Sequence, residues 1–202
     1  MPKQSYEKSC FNQLRETCKQ YQNFSDKSFG EFRKISFLKE VKKGEVLQDV
    51  YSPAKYIYFI CKGILRTFFS NEQGAIYTKN LFSENYFSAS KVSLITGEDS
   101  YLCIDALEDS TLIYIDFFKY KKLIETNDEF KNFYINYLEK NWIMVKEKNE
   151  ISLILDDATK RYENFIKNNP NIENRIPLHH IANHLGITPT QLSRIRKKIK
   201  ES

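Results

Sequence analysis

The spacing of apolar residues changes along this chain of 202 residues, close to Asp116. Between Ile35 and Asp116, short runs rich in Val, Ile, Tyr and Phe alternate with turn-forming residues, which is typical of antiparallel strands. After Asp116 no glycine occurs before Gly186, and apolar residues recur at the three- and four-residue steps of helices. The pattern predicts an α+β protein whose strands, about eight, form one antiparallel β-barrel or jelly roll. Its turns are predicted at Lys43-Gly44-Glu45, Ser52-Pro53, Lys62-Gly63, Asn71-Glu72-Gln73-Gly74 and Thr96-Gly97-Glu98.

A long helix is predicted after the strands. Thr126 and Glu129 have the spacing of a capping box, and helical spacing continues to Leu155. A helix of some 28 residues spans about 40 Å, more than the barrel, so part of its apolar stripe must contact something else. The stripe could pack on the barrel or pair with a second copy across a two-fold axis; we predict a homodimer. The predicted interface residues are Phe130, Tyr134, Tyr137, Leu138, Asn141, Trp142 and Val145.

The positive charge lies at the C-terminal end. The formal net charge is +5; residues 175–202 contain six bases and one acid, and the other 174 residues contain 25 of each. A basic end on a neutral body is typical of a chain that binds a polyanion, although a solvated lysine-rich terminus has the same composition.

Residues 178–199 have the pattern of a helix-turn-helix motif. Ala182 allows two helices to approach, and Gly186 suits the turn. Thr188, Pro189 and Gln191 form the start of the second helix as N-cap, first and third residues. The outward face of this helix has no apolar residue; its arginine and polar groups suit base edges, and its lysines suit phosphates. We predict that double-stranded DNA contacts Thr188, Thr190, Gln191, Ser193, Arg194, Lys197 and Lys198.

Together, the segments 41–47 and 56–66, the long helix and the terminal motif resemble the Crp/Fnr family of bacterial transcription regulators. The resemblance implies a cyclic-nucleotide-binding-like barrel within residues 1–126, a dimerisation helix at 127–155 and a DNA-binding domain at 156–202. Such proteins bind two-fold symmetric DNA sites as dimers, usually near promoters, where RNA polymerase is a candidate partner. A small-molecule effector typically changes their DNA affinity. The wing that often follows the recognition helix is predicted to be truncated, because only Ser202 follows Glu201.

The stretch comparable to the family's cyclic-nucleotide cassette, residues 86–100, departs from that pattern. Ser88-Ala89 replaces the acid that binds the ribose, and Asp99 stands where the phosphate-binding arginine would be. A carboxylate disfavours a cyclic phosphate, so cyclic AMP is not expected to bind. The effector is unknown, and its candidate pocket consists of Phe82, Tyr86, Phe87 and Ser100.

No cofactor and no enzymatic activity are predicted. The three histidines, His179, His180 and His184, all lie in the terminal motif, so a metal-dependent barrel enzyme and a Ser-His-Asp triad both lack their histidines. His180 and His184 could share a metal, but exposure or phosphate contact is favoured. Cys10 and Cys18 do not match the clustered cysteines of iron–sulfur relatives. The alternative function is a barrel-type signalling module that acts on protein partners, which leaves the basic end unexplained.

The chain is expected to be cytoplasmic and not to associate with a membrane. Its apolar runs are much shorter than the roughly 20 residues that span a bilayer, and its first residues lack the apolar stretch of a secretory signal.

Overall fold

The computed structural model describes residues 2–71, 73–170 and 172–201, and eight strands in this part of the chain form two antiparallel sheets. The first sheet has the order β1-β8-β3-β6 and the second the order β2-β7-β4-β5. The predicted α+β class with an antiparallel barrel is confirmed. Four residues covered by the sequence predictions lie outside the described part: Met1, Glu72 of a predicted turn, Asn171 of the predicted DNA-binding domain, and Ser202 of the predicted truncated wing. The strands are β1 (Ser36–Val41), β2 (Val46–Gln48), β3 (Tyr56–Lys62), β4 (Leu65–Ser70), β5 (Ile76–Phe82), β6 (Phe87–Ser88), β7 (Cys103–Ala106) and β8 (Ser110–Asp116).

Apolar side chains fill the space between the two sheets. Tyr58 and Tyr114 of the first sheet lie edge to face, with ring centroids 4.9 Å apart, and the Tyr58 hydroxyl donates to the Leu47 carbonyl at 2.8 Å. Gly63, in the connection between β3 and β4, has a φ of +113° and lies close to Ser110 at the start of β8. A Cβ there would lie 1.9 Å from the Oγ of Ser110, so this connection requires glycine.

Helices cover the outer face of the first sheet. Aromatic rings form much of this second core: Phe130 lies 4.9 Å from Phe24 and 5.5 Å from Phe32 between ring centroids. The core also includes Phe59 and Phe87 from the sheet. The helices concerned are α1 (Pro2–Cys18), α2 (Asp26–Lys34), α3 (Lys91–Thr96), α4 (Phe117–Thr126) and α5 (Asp128–Leu138).

All four cysteines are reduced and buried. Burial raises the pKa of Cys10, Cys18 and Cys61, and it raises the pKa of Cys103 to about 11. These thiols therefore serve as small apolar packing groups.

The long helix consists of three consecutive segments. After α5 comes a π-helical segment, Glu139–Met144, and then α6, Val145–Leu155. The Val145 N–H donates to the Lys140 carbonyl, five residues back. Because a π-helical turn contains an extra residue, it changes which side chains face the barrel.

The predicted capping box at the start of the long helix is wrong. Thr126 is the last residue of α4, and its hydroxyl donates to the Lys122 carbonyl at 2.9 Å. Asn127 is the N-cap instead, because its side chain accepts from the Glu129 N–H at 3.0 Å. The Glu129 carboxylate accepts the Ser25 N–H at 2.7 Å and so joins α5 to the start of α2.

The C-terminal helices pack on the second sheet. Their core residues, such as Ile181 and Leu192, share one cluster with Ile64, Leu81 and Leu107 of the barrel. Among the described residues, no helix is both long and apolar enough to cross a bilayer. The division into three domains stays a prediction. The segments here are α7 (Ala158–Asn168), a 3₁₀ turn (Ile172–Asn174), α8 (Leu178–Leu185) and α9 (Pro189–Lys200).

Candidate nucleic-acid interface

The helix-turn-helix geometry forms as the local sequence indicates. Gly186 ends α8 in the left-handed conformation, with φ +68° and ψ +32°. Thr188 is the N-cap of α9: its Oγ1 accepts from the Gln191 N–H at 3.1 Å, and its own N–H donates to the Gln191 Oε1 at 2.9 Å. Pro189 occupies the first position of the helix, where no N–H is needed. This capping box fixes the direction in which α9 leaves the turn.

Helix α9 has one buried face and one polar exposed face. Leu192 is fully buried, and Ile195 and Ile199 pack partly on the same core. Gln191 uses its carbonyl oxygen in the capping box, so its amide nitrogen is the atom that can donate to DNA. All seven side chains predicted to contact DNA are exposed: Thr188, Thr190, Gln191, Ser193, Arg194, Lys197 and Lys198.

The structure divides the six bases of the C-terminal segment into two groups. Arg175 binds the carboxylates of Glu84, at 2.6 Å, and Glu108, both on loops of the barrel. Arg196 lies 3.6 Å from the carboxylate of Glu173. These two arginines are half-buried. Arg175 joins the C-terminal segment to the barrel, and Arg196 joins α9 to the 3₁₀ turn. The exposed positive charge belongs to Arg194, Lys197, Lys198 and Lys200 of α9.

A buried ion pair of the barrel contacts helix α8. Arg66 donates from Nε to the Oδ1 of Asp105 at 3.0 Å, and its Nη1 donates to the Nδ1 of His180 at 3.2 Å. Burial lowers the pKa of His180 to about 4, with His179 and Arg66 as further causes. Nδ1 therefore accepts as part of a neutral ring.

The expectation that His180 and His184 are exposed or contact phosphate is wrong for both. His180 is half-buried against the barrel, and the ring of His184 packs 5.2 Å from that of Phe165. Burial also lowers the pKa of His184. His179 is exposed. Within the described ranges, no group of three or more His, Cys, Asp or Glu side chains is placed to bind a metal ion.

The seven residues predicted to form the dimer interface do not all lie on one surface. Phe130 is fully buried in the core of its own chain, because the rings of Phe24, Phe32 and Tyr120 pack against it, and it is removed from the predicted interface. Asn141 donates to the Tyr21 hydroxyl at 3.1 Å, which also directs it towards its own chain. Tyr134 and Tyr137 are half-buried against the same core and Leu138 is half-buried, whereas Trp142 and Val145 are exposed.

A larger exposed apolar surface begins at the end of the π-helical segment and continues along α6. The side chains of Ile154 and Leu155 are 83% and 76% exposed, and three others are exposed by about half or more. Exposed apolar residues at this density on one helix indicate a surface that another molecule covers. We call it the outer apolar face; it consists of Ile143, Met144, Ile151, Ile154 and Leu155.

The four residues of the candidate effector pocket are not brought together. Phe87 lines a cavity of about 310 Å³ on the helical side of the first sheet. Phe82 and Tyr86 line a different cavity, of about 550 Å³, between β5 and helices α6 to α8. Ser100 is buried, with its Oγ 2.7 Å from that of Ser90 and 2.6 Å from the Leu102 carbonyl. Its hydrogen bonds therefore hold the loop, and it lines neither cavity.

Sequence reasoning missed the polar contacts between the barrel and the C-terminal helices, and it missed Lys91. Lys91 begins α3, lines the 310 Å³ cavity and lies with its Nζ 3.9 Å from the ring centroid of Trp142. No local signal marks these residues, since their partners lie far away in the sequence. The lack of arginine in residues 86–100 leaves Lys91 as the one cation of the stretch.

Comparison with solved structures identifies the fold. A transcriptional regulator assigned to the Crp/Fnr family from Eubacterium rectale ATCC 33656 is 19% identical, with 88% of this chain and 84% of that chain covered and a TM-score of 0.65. FixK2 from Bradyrhizobium japonicum is 14% identical over 83% and 85% of the two chains, with a TM-score of 0.68. The c-di-GMP-responsive regulator CLP from Xanthomonas campestris is 14% identical over 88% and 92%, with a TM-score of 0.65. No protein-family model and no curated protein sequence matches the chain significantly. At these identities the comparison confirms the resemblance at the level of the fold.

Proposed function

We propose that this chain, which has the fold of the Crp/Fnr transcription regulators, is a dimeric, sequence-specific DNA-binding transcription regulator. The exposed face of α9 is the observation that carries this proposal. A capped helix follows a glycine turn, buries its apolar side and presents polar and basic side chains alone on the other side. A helix of this kind fits the major groove of DNA.

Each group on α9 has a separate task in the proposed complex. Arg194 has the planar fork that binds the O6 and N7 of guanine, and Ser193 can contact a neighbouring base edge. Lys197 and Lys198 bind phosphates. The N-terminus of α9 at Thr188 directs backbone N–H groups towards another phosphate.

The outer apolar face supports the proposal of a homodimer. In a two-fold pair the same apolar residues of both copies cover each other. Trp142 and Val145 lie at its start and remain proposed interface residues. Tyr134, Tyr137, Leu138 and Asn141 precede it in the long helix and also remain proposed interface residues, although their half-buried side chains contact their own chain as well. The pair would place two α9 helices about 34 Å apart, one turn of DNA.

Cyclic AMP is not the proposed effector. Asp99 and Glu98 are exposed in the stretch that corresponds to the nucleotide cassette, where two carboxylates repel a phosphate. RNA polymerase is a proposed partner at promoters, and no enzymatic activity is proposed.

Selection of DNA from a random pool tests the function directly. The purified chain is mixed with random double-stranded oligonucleotides and a heparin competitor, and bound DNA is sequenced over several rounds. We expect a two-fold symmetric site with half-sites about 10 base pairs apart, centre to centre.

The control is the double variant Arg194→Ala, Lys197→Ala, which should enrich no particular DNA sequence. Absence of enrichment with the unmodified chain would refute DNA recognition and favour action on protein partners.

A further inference from the structure

The 310 Å³ cavity has an aromatic interior. It lies between the first sheet, α3, α4 and the long helix, outside the space that the two sheets enclose. Its volume lies at the small end of the range of ligand sites. The exposed side chains of Ile95 and Trp142 line its open end. The rings that line it include Phe32, Phe87, Phe117, Tyr120, Phe133 and Tyr137.

One cation lines this apolar cavity. The Lys91 ammonium lies over the ring of Trp142, and no carboxylate of the described residues forms an ion pair with it. Burial, with Lys79 nearby as a further cause, lowers the pKa of Lys91 to about 7. A lysine in such surroundings is costly unless an anion joins it. The contact with Trp142 offsets part of that cost but supplies no negative charge.

We propose that this cavity binds a hydrophobic monocarboxylic acid, with the carboxylate on the Lys91 ammonium and the hydrocarbon body among the aromatic rings. The charge of Lys91 selects an anion over a neutral or cationic molecule of the same shape. The apolar lining selects a hydrocarbon body, because it offers almost no polar atoms to a sugar or a nucleobase. A nucleotide therefore fits this site poorly.

The cavity also connects a ligand to the long helix. Tyr134, Tyr137, Leu138 and Trp142 line it on α5 and the π-helical segment, immediately before the outer apolar face. A ligand there contacts the part of the helix where its register changes. The expected change in dimer geometry and DNA affinity rests on the proposed function; the binding itself does not.

Tryptophan fluorescence measures the binding step. Trp142 is the single tryptophan of the chain and lies against Lys91, so its emission reports occupancy. The probes are decanoate, decanol and decylammonium below their micelle concentrations, and cyclic AMP. We expect saturable binding of decanoate, with decanol at least about tenfold weaker because it lacks the charge-assisted contact. Equal affinity for decanoate and decanol, or no saturable decanoate binding, would overturn the proposal whatever the variants do.

Two lysine variants locate the charge. Lys91→Met should weaken decanoate about tenfold and leave decanol almost unchanged. Lys140→Met is the matched control, because Lys140 also lies over an aromatic ring, that of Tyr21, and does not line the cavity. Calorimetry repeats both titrations without relying on Trp142. Unchanged decanoate affinity in Lys91→Met would refute the role of Lys91.

A DNA-binding assay separates the site from the proposed function. The selected DNA fragment is titrated with and without saturating decanoate, and we expect at least about a fivefold change in affinity, since couplings between sites are typically 5–150-fold. If decanoate binds but DNA affinity stays constant, the regulatory consequence fails and the ligand site stands. If no DNA binds even without decanoate, the proposed function fails, and the fluorescence result alone decides the site.

Discussion

Arg194 and Lys198 lie on the same exposed face of α9, but we expect them to contact different parts of DNA. Arg194→Ala should cost about 1–3 kcal/mol on the selected site and relax its base preference, whereas Lys198→Ala should weaken all sequences alike and reduce the salt dependence. Fluorescence anisotropy with selected and scrambled DNA at several salt concentrations measures both. Lys121→Ala, an exposed lysine on α4, is the control for lost charge. Equal losses of Arg194→Ala on selected and scrambled DNA would contradict base reading.

Gly186 permits a direct test of backbone strain in the turn. Its φ of +68° disfavours other residues, while a Cβ there would meet no atom within 4 Å. Gly186→Ala should therefore lower the free energy of unfolding by about 1–2 kcal/mol through the backbone alone. Gly186→Asn should cost less, because asparagine tolerates this conformation better. Urea denaturation measures both variants, and equal stability of the alanine variant and the natural chain would show that the turn can relax.

Residues whose roles depend on near neighbours in sequence could be predicted from it. Gly186, Thr188 and Gln191 interact within five residues of one another, and the structure shows the turn and capping box that the sequence indicates. Lys91 and Arg66 could not be predicted, because Trp142 and His180 are 51 and 114 positions away. An isolated lysine or arginine in a sequence does not show whether folding will bury it.

At the scale of elements, the long helix shows where periodicity stops being informative. Apolar residues at three- and four-residue steps predicted the helix but not what each turn would contact, since a core face and a dimer face have the same spacing. Phe130 is buried in part because the ring of Phe32 in α2 packs against it, and α2 is more than ninety residues earlier in the chain. The π-helical segment then changes which side chains of the following helix face the barrel, and no residue in Glu139–Met144 predicts this change.

The outer apolar face should hold the two copies together. Ile154→Glu should raise the dissociation constant of the dimer by about a hundredfold or more, because each copy loses about 1.5–3 kcal/mol of apolar burial and gains a charge in the interface. Analytical ultracentrifugation measures this. Ile76→Glu is the matched control, an equal change at an exposed isoleucine of β5. An unchanged dimer in Ile154→Glu would place the interface elsewhere.

At the scale of the whole molecule, apolar contacts and polar contacts such as that of Arg66 with His180 attach the C-terminal helices to the barrel. Ile64, Leu81 and Leu107 of the barrel join the core of these helices, and Arg175 pairs with Glu84. The sequence predicted the barrel and the C-terminal helices but not the contact between them. Each contacting residue already fits the strand or helix pattern of its own element, so nothing in the sequence indicates a second partner.

The contact at His180 should depend on pH. Its pKa of about 4 lies below the ordinary 6.5, so the packed form favours the neutral ring. The free energy of this contact is therefore complete above pH 6.5 and is lost as the pH falls towards 4. The charged groups around it are Arg66, Asp105, His179 and Lys43. Histidine NMR titration should give a midpoint near 4 for His180, and hydrogen exchange should show α8 loosening over the same interval.

A control variant distinguishes this contact from general acid unfolding. In His180→Phe the loosening of α8 between pH 6.5 and 4 should be reduced, because the titrating ring is removed. A midpoint for His180 near 6.5 in the natural chain would show that the barrel does not desolvate the ring.

The four buried thiols make the chain suitable for site-selective labelling. Since thiolate is the reactive form and burial disfavours it, maleimide reagents should react slowly with all four native cysteines while the chain is folded. A cysteine introduced on the exposed surface of α9 would then be the one site in each chain that is labelled with a dye. Energy transfer between the dyes of two copies could follow the distance between their α9 helices on DNA.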